Sequence, residues 1–173
     1  RGNGNLVLTG SLGSVMKESA LVALSYIKAN YKKFDIDYNK LIENDIHIHV
    51  PGGAVPKEGP SAGVAITTAI ISAFTEKEVP SNLALTGEIT LRGKILPIGG
   101  IKEKSLGASR CMIKEIIIPN KNEHDLDEIP EEIKKNITYI PVNNYEEIYK
   151  KIFGWYNEYR IFNEIKIFIW INE

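Results

Sequence analysis

The chain has 173 residues, of which 43% are hydrophobic and 25% are charged, and its formal net charge at pH 7 is −1. This balance is typical of a globular domain with its own core, and it argues against nucleic acid or an anionic membrane as the main partner. The only cysteine, Cys111, excludes an internal disulfide and a cysteine-only metal site, and we expect it to be a partly buried structural thiol.

The two ends of the chain carry little functional signal. There is no signal peptide and no apolar run of the roughly 18 residues that a membrane span needs, so no span is expected. The chain begins at Arg1 instead of a methionine, which predicts that it is a piece of a larger protein.

The first half of the chain alternates between strand and helix patterns. Apolar residues recur with a period of two in strands and at spacings of three and four in helices. Ser14 can cap the first helix, and the second strand puts His47 and His49 on one face. In chain order, the sequence predicts a strand over 6–9, a helix over 15–29, a strand over 46–50, a loop over 51–60 and a helix over 61–75.

The second half continues this mixture and adds a hairpin. Arg92 and Gly93 form a turn between two short apolar runs, as in a β-hairpin. Strands mixed with helices predict an α/β or α+β domain. The tail over 154–173 is rich in aromatic residues and isoleucine, and its role stays open. The predicted elements are a strand over 83–86, the hairpin over 89–97, a helix over 101–109, a strand over 115–119, a polar helical segment over 122–135, a strand over 138–140 and a helix over 144–152.

The first chemical signal is a Gly- and Pro-rich segment that ends in a serine, Ser61, at a predicted helix start. Unpaired backbone N–H groups and the helix dipole favour negative charge there. Such a site can stabilise an oxyanion during acyl transfer or bind a phosphate. Because Pro60 has no N–H, oxyanion donors are expected at Ser61, Ala62 or elsewhere. A serine that only caps the helix is the alternative.

A serine nucleophile needs a base, and the histidines are poor candidates. His47 and His49 lie on a strand without an obvious orienting carboxylate, and His124 lies in a polar patch that favours solvation. Lys102 and Lys104 lie two positions apart at a helix start and so on different faces. One of them can point inward, where desolvation lowers the pKa of the amine and permits a neutral base. Two ordinary surface lysines are the alternative.

The last chemical signal comes from six blocks of the sequence: 9–19, 47–51, 56–63, 85–93, 96–104 and 118–122. Together these blocks closely resemble the signatures of Lon protease domains. The resemblance covers about residues 4–153 and keeps the blocks in order with few gaps. It implies the two-layer α/β fold of Lon proteolytic domains, which is related to the second domain of ribosomal protein S5. That domain would span 1–153 without its N-terminal part, followed by the 154–173 tail.

The resemblance also implies roles for individual residues. Ser61 corresponds to the family's nucleophile and Lys104 to its general base, and Thr86 is suited to hold this lysine by a hydroxyl hydrogen bond. The family usually has Asp three residues before the serine, where this chain has Glu58. The extra methylene argues against a close carboxylate contact, but not against the dyad. No metal and no cofactor are implied in this segment.

For the whole enzyme, the resemblance implies an ATP-dependent serine endopeptidase that cleaves unfolded or damaged proteins with a Ser–Lys dyad. It implies a hexameric ring and a preceding AAA+ module that binds ATP and Mg. This segment has no Gly-x-x-x-x-Gly-Lys-(Ser/Thr) loop, so it is not expected to bind ATP in that way. The mitochondrial matrix is the expected location, with the bacterial cytoplasm or the plastid stroma as alternatives.

Two rival functions come from other classes. A GHMP-type small-molecule kinase has a Gly/Ser-rich loop that superficially resembles 58–63, but a phosphate-binding loop needs neither Lys104 nor Thr86. A catalytically inactive Lon-like binding module is the second rival, and the presence of both Ser61 and Lys104 argues against it. Nucleotide binding would distinguish the kinase from the protease. Reaction with a fluorophosphonate or boronate probe would distinguish an active protease from the inactive binding module.

Overall fold

The computed structural model of the chain describes residues 1–51 and 58–154. Most of the predicted 51–60 loop and nearly all of the 154–173 tail therefore lie outside the described residues. The first half contains β1 (Leu6–Gly10), α1 (Ser14–Asn30), a 3₁₀ helix (Tyr31–Phe34), α2 (Tyr38–Glu43), β2 (Ile46–Val50) and α3 (Gly63–Thr75). The second half contains β3 (Leu83–Leu85), β4 (Glu88–Ile89), β5 (Ile95–Leu96), α4 (Ile101–Arg110), β6 (Glu115–Pro119), a 3₁₀ helix (Asn120–Glu128), α5 (Glu131–Lys134), β7 (Thr138–Val142) and α6 (Tyr145–Phe153).

The predicted α/β class is confirmed, and three local differences from the predicted elements stand out. The polar segment over 122–135 is a 3₁₀ helix followed by a short α-helix, because Pro130 adopts an extended conformation between them. The sequence reading missed α2, whose six residues are too few for a periodic signal, although Asp37 caps it by accepting the Asn39 N–H at 2.9 Å. The N-cap of α1 is Gly13 and not Ser14.

The three-stranded sheet β3–β6–β7 is parallel, with β6 in the centre, and it is covered on both faces. Ile117 of β6 belongs to a first apolar cluster that includes residues of α1, α3 and α6. Ile116 and Ile118 belong to a second cluster that includes residues of α4. Burial on both faces explains why 115–119 is almost continuously apolar.

The connection from β3 to β6 places α4 over this second face. It runs through the antiparallel β4–β5 hairpin and then through α4. Ala84 of β3 packs in the second cluster together with Ile101 and Ala108 of α4. The inner face of α4 therefore lies against the layer that contains β3.

Among the described residues, the core packs against one face of the parallel pair β1–β2. Leu8 and Ile48 pack against the first cluster. His47 and His49 project from the opposite face, as predicted, and the Thr9 hydroxyl lies 2.7 Å from Nε2 of His47 and 2.9 Å from Nδ1 of His49. In the part of the chain that the structure describes, no helix is long and apolar enough to cross a bilayer.

The expectation of a partly buried thiol is wrong. Cys111 is exposed and directly follows the last residue of α4, where it forms the C-cap of that helix. The buried residues of this region come from the helix itself and from Ile113 at the approach to β6.

Candidate active site

Ser61 lies in the turn before α3 and not inside the helix. The helix begins at Gly63 with Ala62 as its N-cap, two residues later than predicted, so the alternative of a helix-capping serine is wrong. The half-buried Ser61 is fixed through its carbonyl oxygen, which accepts the N–H of Gly87 at 2.8 Å and the hydroxyl of Thr86 at 3.4 Å. The backbone of the serine is thus tied to the residues that follow β3.

Two backbone N–H groups near Ser61 are candidate oxyanion donors. The Gly63 N–H donates to the Pro60 carbonyl at 3.1 Å, and the Val64 N–H donates to the Gly87 carbonyl at 3.2 Å. Because the N–H groups of Gly63 and Val64 are engaged in these bonds, those of Ser61 and Ala62, which the sequence already indicated, stay the candidate donors.

Two glycines allow the start of α3 to approach the β3–β4 connection closely. A Cβ at Gly63 would lie 2.9 Å from the Ser19 hydroxyl oxygen and 3.1 Å from the Ile89 nitrogen. Gly87 has a φ of +155°, and a Cβ there would lie 2.9 Å from Cγ2 of Ile95. Any side chain at these two positions would push the serine turn away from the residues that fix it.

Lys104 is buried on the inner face of α4, with only 5% of its surface exposed, whereas Lys102 is exposed. This confirms that one of the two lysines points inward. Ile101 and Ala108 lie on the same helical face as Lys104 and pack with Ala84 of β3. Lys104 therefore faces the layer that contains β3.

Burial lowers the pKa of Lys104 below the usual value of 10.5, because desolvation penalises the charged ammonium. The negative charge of Glu103 acts in the opposite direction, but it is the smaller effect. The amine at this position is therefore neutral at a lower pH than an ordinary surface lysine.

The start of α4 is held by Asn122, a buried residue that sequence reasoning did not single out. Its side chain accepts the N–H of Ile98 at 3.0 Å and donates to the Ile98 carbonyl at 2.7 Å. Gly100 then begins the helix from a left-handed conformation, with a φ of +76°. Both features lie within the 96–104 and 118–122 blocks and fix the helix that carries Lys104.

Thr86 directly follows β3 and contacts the serine turn. Its N–H donates to the Ile117 carbonyl at 3.1 Å, which extends the β3–β6 ladder by one residue. Side chains alternate along a strand, so Thr86 projects to the same side as Ala84, which α4 covers. Its side chain is buried, and its hydroxyl reaches the Ser61 carbonyl.

Glu58 makes a close contact in a different part of the site. Its carboxylate lies against Gly13, in the space that a Cβ of that glycine would occupy. Six residues after Gly13, the buried Ser19 of α1 donates its hydroxyl to the Pro60 carbonyl at 3.4 Å. Sequence reasoning found the 9–19 block but assigned no role to Gly13 or Ser19. Within the described residues, no group of three His, Cys, Asp or Glu side chains could hold a metal ion.

Comparison with known proteins shows which family has this fold and this serine turn. A family model described as the Lon protease (S16) C-terminal proteolytic domain matches residues 1–154. The chain is 55% identical over 152 residues to the Lon protease of Mycoplasma mycoides subsp. mycoides SC, which covers 88% of this chain and 19% of that protein. It is 56% identical over 147 residues to Lon protease 2 of Thermus thermophilus, which covers 85% of this chain and 18% of that protein.

These matches identify the chain as a serine-peptidase domain. It belongs to the Lon protease family, and this membership removes the GHMP-type kinase as an alternative. The chain spans about one fifth of the length of the curated relatives it matches. The relatives named here are bacterial, and they give no support to the expected mitochondrial location.

Replacing Lys104 with methionine is expected to change how stability depends on pH. Between the lowered pKa of the folded state and the unfolded value of about 10.5, the unfolded chain binds more protons than the folded chain. The stability of the wild type should therefore rise relative to Lys104→Met as pH increases through this interval. Thermal unfolding at several pH values measures the difference, at roughly 2–4 °C per kcal/mol.

The exposed Lys102 provides the matched control. Lys102→Met removes a charge from the same helix, but the amine that it removes is not buried. Its Tm difference from wild type should stay nearly constant over this pH range. A constant difference for Lys104→Met as well would show that burial does not lower the pKa of Lys104.

Proposed function

We propose that this chain is the proteolytic domain of an ATP-dependent serine endopeptidase that uses Ser61 as nucleophile and Lys104 as general base. The observation that carries the proposal is the burial of Lys104 on the face of α4 that packs against β3. A lysine is an unusual choice for a fully buried position unless its amine has a function or a partner there. Family membership supports the serine-peptidase chemistry.

The proposed reaction begins with neutral Lys104 taking the proton of the Ser61 hydroxyl as this oxygen attacks the peptide carbonyl. The N–H groups of Ser61 and Ala62 stabilise the oxyanion of the tetrahedral intermediate. The lysine ammonium then gives its proton to the departing amine, which leaves an ester between Ser61 and the acyl part of the substrate. Water, deprotonated by the neutral lysine, hydrolyses this acyl-enzyme and regenerates the serine.

Thr86 is the proposed positioning residue for this dyad. Its side chain is buried, reaches the Ser61 carbonyl and projects to the side of β3 that α4 covers. A hydroxyl in this position can accept a hydrogen bond from the neutral amine and so orient its lone pair. The role of Glu58 is separate, because its carboxylate contacts α1.

For the whole enzyme, we propose unfolded or damaged proteins as substrates and a hexameric ring as the assembly. Residues 1–153 would form the proteolytic domain, and no cofactor would bind to this segment. ATP and Mg would bind to an AAA+ module elsewhere in the enzyme. The bacterial relatives favour the bacterial cytoplasm over the mitochondrial matrix as the location.

The dyad predicts a specific pH dependence of peptide cleavage. Lys104 accepts a proton only when it is neutral, and burial lowers its pKa, so kcat should rise with pH through an ionisation below 10.5. Ser61→Ala should abolish cleavage. Lys104→Arg should be almost as inactive, because a guanidinium keeps its proton at any usable pH. Steady-state hydrolysis of a fluorogenic peptide measures all three effects.

The histidines provide the control for this assignment. His47→Ala and His49→Ala should retain most of the activity, because these side chains contact the Thr9 hydroxyl on the open face of the β1–β2 pair. A Lys104→Arg enzyme with near wild-type kcat, together with an inactive histidine variant, would show that a histidine is the base.

Thr86→Val should lower kcat more than it changes KM. Valine keeps the branched shape that suits the strand, but it removes the hydroxyl, and one lost positioning hydrogen bond corresponds to about 5- to 150-fold in rate. Thr138→Val, at an exposed position of β7, is the matched control and should leave kcat unchanged. Equal kcat values for Thr86→Val and wild type would remove Thr86 from the mechanism.

A further inference from the structure

The segment that leads into Ser61 contains a flexible residue with a contact to α1 on each side. Gly59 has a φ of +102°, and a Cβ at this position would meet no atom within 4 Å. Its neighbours Glu58 and Pro60 are the residues that contact α1. Because glycine has more backbone freedom than any other residue, Gly59 restrains the segment little, and the contacts of its two neighbours with α1 help to hold it.

The first contact explains why a glycine begins α1. Gly13 has φ −74° and ψ 175°, a conformation that any residue adopts, so its backbone does not require glycine. A Cβ at Gly13 would instead meet the carboxyl group of Glu58. The missing side chain leaves room for this carboxylate at the N-terminus of α1, where the helix dipole favours negative charge.

The second contact lies on the same helix. Ser19 is only 6% exposed, and its hydroxyl donates to the Pro60 carbonyl at 3.4 Å. The same oxygen lies 2.9 Å from the position of a Cβ at Gly63, so it also limits the approach of the first residue of α3. Ser19 thus contacts the segment on both sides of Ser61.

We propose that Gly13 and Ser19 are positioning residues for the nucleophile, and that α1 holds residues 58–63 in the conformation that aims Ser61. This inference rests on the proposed role of Ser61. Contacts to Thr86 and Gly87 fix the serine carbonyl from the side of β3, and the contacts to α1 fix the preceding residues. A displacement of about 1 Å at a reacting group can lower a rate by about 100-fold, so both sets of contacts affect acylation.

A double-mutant cycle on the 173-residue chain tests the Gly13 contact. The variants are Gly13→Ala, Glu58→Ala and the combination of both. Two quantities are measured for each: amide hydrogen exchange of residues 59–64, and the rate at which a fluorophosphonate labels Ser61, located by peptide mass spectrometry. Gly13→Ala should speed exchange and slow labelling by about 5- to 30-fold when Glu58 is present. In the Glu58→Ala background it should change neither.

Ser19→Ala tests the second contact. It should slow labelling and lower kcat for a short peptide with little change in KM, because the hydroxyl contacts the nucleophile segment and not the substrate. Ser25→Ala, an exposed serine on the same helix, is the control and should match wild type in exchange, labelling and kcat. Faster exchange at 59–64 in Ser19→Ala, without any change in Tm relative to the control, separates positioning from general destabilisation.

The outcomes distinguish this inference from the proposed function. One contrary result is that Gly13→Ala has the same effect on exchange and labelling whether residue 58 is Glu or Ala. That result would overturn the positioning role, because the substitution would then act on the start of α1 and not through the Glu58 carboxylate. Unchanged exchange and labelling in Ser19→Ala would also overturn it. If the wild type fails to label at Ser61, the proposed function is overturned, while the exchange cycle still reports whether α1 holds the segment.

Discussion

The burial of one amine is the constraint on which the rest of the site depends. Lys104 lies on the inner face of α4, beside the apolar residues of that face. The position of α4 is set by the β3–β6 crossover and by the two hydrogen bonds between the Asn122 side chain and the backbone of Ile98. Desolvation at this position disfavours the ammonium and lowers the pKa of the side chain. At pH values below that pKa, folding must bury a charged ammonium, which lowers the stability of the folded state. The same burial provides the neutral base that the proposed chemistry needs.

The serine is held by contacts from two directions, and neither uses its hydroxyl. The residues after β3 hold its carbonyl, and α1 holds the residues before it through Glu58 and Pro60. In the proposed chemistry, this fixed backbone presents the Ser61 hydroxyl for proton transfer and the N–H groups of Ser61 and Ala62 for the oxyanion. Preorganisation of this kind places the cost of ordering the site in folding instead of in the chemical step.

Sequence reasoning reached the features that are set by local chemistry. The strands, most helices and the opposite orientations of Lys102 and Lys104 follow from periodicity, and the resemblance supplied the family. It failed where distant contacts decide. The α3 start is at Gly63 because Gly87 and Thr86 capture the Ser61 carbonyl, and Gly13 is explained only by the Glu58 carboxylate beside it. Cys111 is exposed because α4 ends one residue before it.

The central claim is that Lys104 is neutral near the working pH because it is buried, and a direct titration tests it. Selective ¹⁵N labelling of lysine, with Lys104→Met to assign the resonance, allows the protonation of its Nζ to be followed by NMR as pH is raised. The account predicts that the Lys104 amine titrates below 10.5 in the folded chain. A Lys104 amine that stays protonated up to the usual lysine pKa would contradict the account.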